Sequence, residues 1–143
     1  MTEQRPVFDQ INIVVGDMEA SVVFYRRLGI DIPDRAPEWD PHHRSADVAA
    51  GLDVDLDSQT FAQQWDTGWR GGSGCVIGCK LASRDEVDRV YADLTGAGYR
   101  GQQGPYDAFW GARYAIVEDP DGNAVGLMSP ADPARRTAAT PPS

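Results

Sequence analysis

The sequence predicts an α+β fold in which two βαβββ modules form cupped mixed sheets. The first observation is a strand-then-helix pattern that recurs after 66 residues, the offset that separates Tyr25 from Tyr91 and Leu28 from Leu94. The second is the Asp-Pro-Asp-Gly run at 119–122, which is typical of a tight turn between two closing strands. Because either copy alone is too small to bury both faces of a sheet, we expect the modules to share one core.

The composition is that of one ordinary globular domain, with 143 residues, 41% hydrophobic and 24% charged. The tail is rich in Pro, Ala, Thr and Ser, a composition that favours disorder. We therefore predict a disordered N-terminus (1–6), a first module (7–57), a linker (58–74), a second module (75–128) and a disordered tail (129–143).

The first module begins with a predicted strand at Phe8–Val15, which is rich in β-branched residues. Asp17 is placed to cap a helix at Met18–Leu28, whose apolar residues form one stripe. Three prolines between Pro33 and His43 favour a loop or an edge strand. Two short strands are expected after it, at 46–50 and 52–56.

The second module repeats this order after the Gly-Gly-Ser-Gly run at 71–74. A strand is predicted at Cys75–Leu81, and Ser83 is placed to cap a helix at 84–98. The closing strands, Arg113–Glu118 and Asn123–Met128, flank the predicted turn. A four-residue turn at 119–122 pairs Gly126 with Ala115. Because side chains alternate along a strand, the residues expected to face the cup are Arg113, Ala115, Val117, Ala124, Gly126 and Met128.

The net charge of −9, from 13 Lys and Arg against 22 Asp and Glu, disfavours nucleic acid and anionic membranes as partners. It favours a cationic small molecule, although acidic surfaces are also common without such a role. The sequence contains no apolar run of about 18 residues, and its first residues lack the pattern of a signal peptide. We therefore expect a cytoplasmic protein. Cys75 and Cys79 are too far apart on a strand for a disulfide and are predicted as buried hydrophobes.

Three segments together resemble the vicinal oxygen chelate superfamily, which includes glyoxalase I, extradiol dioxygenases and bleomycin-resistance proteins. They are Phe8–Asp17, the helix end Phe24–Gly29, and Trp110-Gly111 with the Asp-Pro-Asp-Gly-Asn run at 119–123. The resemblance covers roughly residues 7 to 128. It implies a glyoxalase-like fold with paired modules whose cupped sheets hold the ligand, and in similar proteins a homodimer.

Metal-dependent members of that superfamily hold an ion with side chains that point into the cup. The resemblance places the three ligand positions on Gln10, Val76 and Gly126. Valine and glycine offer no side-chain donor, so we expect no metal and no other cofactor. The alternating Asp53, Asp55 and Asp57 are interpreted as a solvated strand face or as a negative wall for a cationic ligand.

Strand alternation and aromatic residues in the loops predict what lines the cup. The aromatic residues of the loops have two alternative roles, which are to cap apolar edges or to fill a dimer interface. Small residues on the cup face, such as Gly126, either leave room for a bulky ligand or accommodate the curvature of the sheet. His43 has the alternative of a surface-loop role, since it is adjacent to His42. The candidate ligand-binding residues are Phe8, Gln10, Asn12, Trp39, His43, Phe61, Trp65, Trp69, Val76, Lys80, Tyr106, Trp110, Arg113 and Gly126.

The leading hypothesis is a metal-independent binding protein, similar to the bleomycin-resistance branch, that sequesters a bulky aromatic natural product without changing it. No catalytic residue is predicted, because no arrangement of a nucleophile with a supporting base is visible. One alternative is a lyase, isomerase or dioxygenase of the same superfamily, with or without a metal. Another is a module that shapes an intermediate of secondary metabolism.

Overall fold

The computed structural model describes residues 5–27, 30–46, 51–72, 74–118 and 120–142. Its elements form one mixed seven-stranded sheet with three α-helices, so the predicted α+β fold is confirmed. The strands are β1 (Val7–Val15), β2 (His43–Ala46), β3 (Asp53–Ser58), β4 (Gly74–Lys80), β5 (Gly101–Asp107), β6 (Arg113–Glu118) and β7 (Ala124–Met128). The helices are α1 (Met18–Arg27), α2 (Gln59–Trp65), α3 (Arg84–Gly96) and a short 3-10 helix at Pro133–Arg135.

The sheet has the order β2-β3-β1-β4-β7-β6-β5 and is approximately symmetric about its centre. β1 and β4 are antiparallel there, and Ile11 pairs with Ile77, its counterpart at the 66-residue offset. On either side, β3 runs parallel to β1 and β7 runs parallel to β4. A local two-fold axis therefore passes between Ile11 and Ile77 and relates the two modules.

Helices cover one face of the sheet. α1 packs with Val22 against Val15 and Leu56, and α3 packs with Val87 against Val117 and Leu127. The other face carries a third apolar cluster, to which α2 contributes Phe61, Ala62 and Trp65. The segment predicted as a linker thus contains a helix that packs on the face opposite α1 and α3.

A β-bulge in β1 changes the predicted orientation of Phe8. Gln10 pairs with Gly78 but Phe8 pairs with Cys79, so two residues of β1 oppose one of β4 at this point. Phe8 therefore shares the face of Cys79, which packs among the α3-side cluster. The prediction that Phe8 points into the cup is wrong, and its side chain is 70% exposed.

The register of β6 and β7 differs by one residue from the prediction. Glu118 pairs with Ala124 and Ile116 pairs with Gly126, which leaves five residues, not four, in the connecting loop. A one-residue shift moves a whole strand's side chains to the opposite face. Arg113, Ala115 and Val117 consequently face α3. Tyr114 and Ile116 occupy the cup face, where the prediction had placed Arg113, Ala115 and Val117.

The C-terminal segment, for which the sequence predicts disorder, makes specific backbone contacts. The backbone amides of Asp132 and Thr137 donate to the carbonyls of Gly111 and Phe109, at 3.1 and 2.9 Å. These donors hold the segment against the loop before β6, although its composition offers few apolar side chains for burial. Cys75 differs from its prediction, since it is exposed, whereas Cys79 is buried as predicted and both are free thiols.

Several predictions lie wholly or partly outside the described residues. They concern the prediction of disorder for most of residues 1–6, the predicted helix end at Leu28 and the predicted strand at 46–50. In the parts of the chain that the structure describes, no helix combines the length and the apolar character needed to cross a bilayer.

Candidate ligand-binding site

A cavity of about 530 Å³ lies on the sheet face opposite α1 and α3. One part of its lining is aromatic, and we call it the aromatic wall: Trp39, Phe61, Trp65, Phe109, Trp110 and Tyr114. A second part, the polar wall, consists of Gln10, Asn12, His43, Asp53, Asp55 and Asp57. Met128 and three residues of the C-terminal segment, Arg136, Thr137 and Ala139, complete the lining.

The aromatic wall is assembled from three segments. α2 presents Phe61 and Trp65 four residues apart, hence on one helix face, and the Ser58 hydroxyl caps this helix by accepting from the Phe61 amide at 3.1 Å. The loop before β6 presents Phe109 and Trp110. It turns at Gly111, whose φ of +96° is the left-handed conformation that favours glycine.

The rings of the aromatic wall contact one another mostly edge to face. Trp39 meets Phe61 at 5.3 Å between ring centroids, and its ring lies nearly parallel to that of Phe109 at 5.9 Å, with an interplanar angle of 26°. Trp110 meets Tyr114 at 5.6 Å. Mutual packing of this kind fixes the rings without a ligand and offers preformed apolar surface to a planar molecule.

The polar wall follows from the pairing of β1 with β3. Gln10 lies opposite Asp53 and Asn12 lies opposite Asp55. Asp57 follows two residues later on β3, so the polar side chains of both strands share one face. The amide nitrogen of Gln10 donates to the Asn12 oxygen at 2.6 Å and to Asp55 at 3.2 Å. The amide nitrogen of Asn12 donates to Asp57 Oδ2 at 3.0 Å. These bonds fix the two amides in place along the cavity.

His43 and Asp57 form an ion pair within the polar wall. The Nδ1 of His43 donates to Asp57 Oδ1 at 2.5 Å, and the Asp57 side chain is 2% exposed. Burial disfavours the imidazolium, but the hydrogen bond to Asp57 and its charge outweigh burial and raise the pKa of His43 above its usual 6.5. With Asn12 on its other oxygen, Asp57 has a partner for each oxygen.

The remaining two carboxylates of β3 have different surroundings. Burial raises the pKa of Asp55, and the charges of Asp57 and Asp53 add to this effect. Asp53 is exposed at the start of β3. Among the residues that the structure describes, it has no hydrogen-bond or ion-pair partner. Asp53 is therefore the carboxylate of the polar wall that remains available to a ligand.

Of the three positions that the resemblance assigns to a metal ion, only Gln10 has a side-chain donor. Val76 has no donor and is buried in the apolar cluster. A Cβ at Gly126 would lie 2.8 Å from the Tyr114 oxygen, so the tyrosine ring covers this position. Over the described ranges, no group of three or more His, Cys, Asp or Glu side chains is placed to hold an ion.

The structure brings seven of the fourteen predicted residues together in the cavity: Gln10, Asn12, Trp39, His43, Phe61, Trp65 and Trp110. Trp69 and Val76 instead line a separate, smaller cavity of about 260 Å³. Tyr106 lies behind the aromatic wall, where its hydroxyl donates to the Trp65 carbonyl at 3.0 Å. Phe8 and Lys80 are exposed outside the cavity.

Two further predicted residues are displaced by the register of β6. Arg113 pairs with Asp88 of α3 at 2.9 Å and with Asp107 at 3.1 Å, on the helix-covered side. Gly126 lies beneath Tyr114, which replaces it in the lining. The prediction that Arg113 lines the cup is therefore wrong. Gly126 lies on the predicted face of the sheet, but Tyr114 separates it from the cavity.

Sequence reasoning did not select several lining residues. Tyr114 lines the cavity because of the register of β6 with β7. The turn motif does not predict this register, because it is compatible with more than one loop length. The alternation of Asp53, Asp55 and Asp57 indicates a shared strand face and, as one interpretation, a wall for a cationic ligand. The position of Phe109 next to Trp110 in a loop also indicates a place near the cup. Arg136 and its neighbours gave no signal, because a tail of this composition predicts disorder.

Comparisons with known proteins agree with this architecture. The family model for the Glyoxalase/Bleomycin resistance protein/Dioxygenase superfamily matches residues 7–127. A superfamily member from Vibrio splendidus 12B01 is 13% identical, with a TM-score of 0.58 over 88% of this chain and 100% of that one. Methylmalonyl-CoA epimerase from Mycobacterium tuberculosis is 19% identical, with a TM-score of 0.56 over 87% of this chain and 88% of that one.

The Mn(II)-bound glyoxalase from Novosphingobium aromaticivorans is 19% identical, with a TM-score of 0.60 over 92% of this chain and 42% of that one. No curated protein matches the chain. At such identities the solved structures establish the fold alone. The match to the family model spans nearly all of the seven-stranded sheet, and the chain therefore belongs to the Glyoxalase/Bleomycin resistance protein/Dioxygenase superfamily.

Proposed function

We propose that this protein binds a bulky, aromatic, cationic natural product without a metal ion and protects the cell by sequestering it, as a cytoplasmic homodimer similar to the bleomycin-resistance branch. The observation that carries the proposal is a single cavity of about 530 Å³ lined by both the aromatic wall and the polar wall. Its volume is in the range of sites for drug-sized ligands.

The aromatic wall supplies the affinity. Burial of apolar ligand surface contributes about 25 cal/mol per Å² before the costs of association are subtracted. Trp39 and Phe109 both line the cavity, and their nearly parallel rings, 5.9 Å apart, add apolar surface for a planar molecule. Since the rings already contact one another, few side chains need to be ordered when the ligand binds, which lowers the entropic cost.

The polar wall supplies the preference for a cation. Asp57 is buried and hydrogen-bonded to His43 and Asn12, and Asp55 is partly buried and accepts from Gln10, so the exposed Asp53 provides the accessible negative charge. The net charge of −9 attracts a cation over a longer range. A ligand amine next to Asp53 would extend from a ring system held by the aromatic wall.

A second candidate function, a metal-free lyase or isomerase, is favoured by the position of His43. Its imidazole lines the cavity and its Nδ1 is held by Asp57, an arrangement that suits a general acid or base. Such an enzyme would release a chemically changed compound, whereas a sequestering protein returns its ligand unchanged.

The test is a tryptophan-fluorescence titration, with correction for absorbance, using bleomycin, daunorubicin and the daunorubicin aglycone, followed by mass analysis of the recovered compound. Daunorubicin carries an amino sugar that the aglycone lacks, so the pair isolates the contribution of the cation. Saturable quenching by a cationic compound of unchanged mass supports sequestration. A changed mass supports the enzyme, and quenching by none of the compounds contradicts binding of this ligand class.

Variants of each wall sharpen this test. Trp39→Ala removes a ring from the aromatic wall and is expected to weaken binding of daunorubicin and of its aglycone alike. Asp53→Asn removes only the accessible charge and is expected to weaken binding of daunorubicin alone. As a matched control, Asp121→Asn removes a carboxylate that is not part of the cavity lining.

A further inference from the structure

The C-terminal segment, residues 130–142, lies beyond the part of the chain that the family model matches, which ends at residue 127. It nevertheless contributes Arg136, Thr137 and Ala139 to the cavity lining. A feature of the binding site therefore comes from a portion of this chain that the family model does not match.

Specific contacts fix the path of this segment. The Asp132 carboxylate accepts from the Ala134 amide at 2.9 Å and caps the 3-10 helix, which has Pro133 in its first turn. The Thr137 amide donates to the Phe109 carbonyl at 2.9 Å, which joins the segment to the loop that carries the aromatic wall. A Cβ on Gly111 would overlap the Asp132 carbonyl and lie 3.2 Å from Arg136 Cγ.

Two adjacent arginines of this segment differ in their surroundings. Arg135 has its Nε 3.7 Å from Asp132 and is not part of the cavity lining. Arg136 lines the cavity. Within the ranges that the structure describes, the guanidinium of Arg136 has no hydrogen-bond or ion-pair partner. The cavity thus contains an unpaired cation at Arg136 as well as an unpaired carboxylate at Asp53.

We propose that Arg136 binds an acidic group of the ligand, so that the ligand is amphoteric, with a carboxylate or phosphate toward the C-terminal segment and an amine toward Asp53. This inference rests on the proposed function of the cavity. Arg136 is exposed to solvent where it lines the cavity, and its guanidinium offers paired N–H donors that an acidic group of a ligand accepts.

Two acridines test this assignment by isothermal titration calorimetry. Both 9-aminoacridine-4-carboxylate and 9-aminoacridine-4-carboxamide carry the cationic ring system, but only the first carries an acidic group. The wild-type protein is expected to bind the carboxylate about tenfold more tightly than the carboxamide. Arg136→Gln is expected to remove this preference and to leave the affinity for the carboxamide within about twofold.

Arg135→Gln is the matched control, because it removes a neighbouring charge outside the cavity, and it should retain the tenfold preference. Arg136→Lys keeps a charge without the paired donors and should retain part of the preference. An equal preference in wild type and Arg136→Gln would overturn the role of Arg136 and leave the proposed function intact. Failure of wild type to bind either acridine would overturn this inference, and the daunorubicin titration then decides whether the proposed function fails with it.

Discussion

The three carboxylates of β3 differ in chemistry because each has different neighbours. Asp57 is buried between His43 and Asn12, Asp55 accepts from Gln10, and Asp53 is exposed. A buried carboxylate without partners would cost several kcal/mol, so the partners of Asp57 are a condition of its burial. The alternating pattern predicts that the three share a face but not which of them is accessible.

The ion pair of His43 with Asp57 should make stability depend on pH. Because the folded-state pKa of His43 is raised, its stabilising effect is complete below the unfolded-state value of about 6.5 and is lost as the pH rises through the folded-state value. The difference in free energy of unfolding between wild type and His43→Gln should therefore be larger at pH 6 than at pH 9. Urea denaturation at both values measures it.

His42→Gln is the control for this comparison, because the Nδ1 of His42 lies 3.1 Å from the uncharged hydroxyl of Ser58 and not from a carboxylate. The effect of this variant on the free energy of unfolding should be similar at the two pH values. A wild-type advantage over His43→Gln that grows from pH 6 to pH 9 would contradict the raised pKa of His43.

Gly126 and Tyr114 form a second coupled pair. A Cβ at Gly126 would lie 2.8 Å from the Tyr114 oxygen, and this ring is held within the apolar cluster. Gly126→Ala is expected to lower the free energy of unfolding by about 1–3 kcal/mol through overpacking. Adding Tyr114→Phe, which removes the closest atom, should recover part of the loss. Equal losses in the single and double variants would show that this contact is not the cause.

At the scale of elements, period-two alternation predicts side-chain direction only as far as the register holds. It predicts Gln10 and Asn12 on the cavity face, and the structure places them there. It fails at Phe8 because of the bulge and at Arg113 because the loop after β6 is one residue longer than expected. The position of the loop aromatics depends on tertiary packing, which alternation does not include.

The N-caps of α2 and α3 offer matched tests of how one helix supports the cavity. The hydroxyls of Ser58 and Ser83 each accept a backbone hydrogen bond, at 3.1 and 3.2 Å. Ser58→Ala and Ser83→Ala are each expected to lower the free energy of unfolding by about 1 kcal/mol. Only Ser58→Ala should also weaken daunorubicin binding, because α2 carries Phe61 and Trp65 into the aromatic wall.

Chemical denaturation measures the first effect of these variants and fluorescence titration the second. Equal loss of affinity in the two variants would mean that binding responds to overall stability and not to α2.

At the scale of the whole molecule, the repeat in the sequence predicts the symmetric sheet, and the Ile11–Ile77 pair confirms the offset of 66 residues. The acidic composition predicts the sign of the surface potential but not its distribution. The contacts of the C-terminal segment could not be predicted, because they are backbone hydrogen bonds to a distant loop and leave little trace in side-chain chemistry.

The net charge of −9 should affect the rate at which a cationic ligand binds. The Debye length falls from about 30 Å at 0.01 M salt to about 10 Å at 0.1 M. The association rate constant of daunorubicin is therefore expected to fall about tenfold over this range, while that of its aglycone stays constant. Stopped-flow fluorescence measures both, and an equal salt effect on the two compounds would rule out electrostatic steering.

The two-fold axis between Ile11 and Ile77 makes Gln10 the counterpart of Val76, and Asp55 that of Gly126. In an assembly of identical half-length chains, every mutation would occur on both sides of the axis at once. Joining the halves in one polypeptide lets a single codon change alter one side only. In this chain one side of the axis accordingly carries an amide and an acid at Gln10 and Asp55, while the counterparts Val76 and Gly126 carry no side-chain donor.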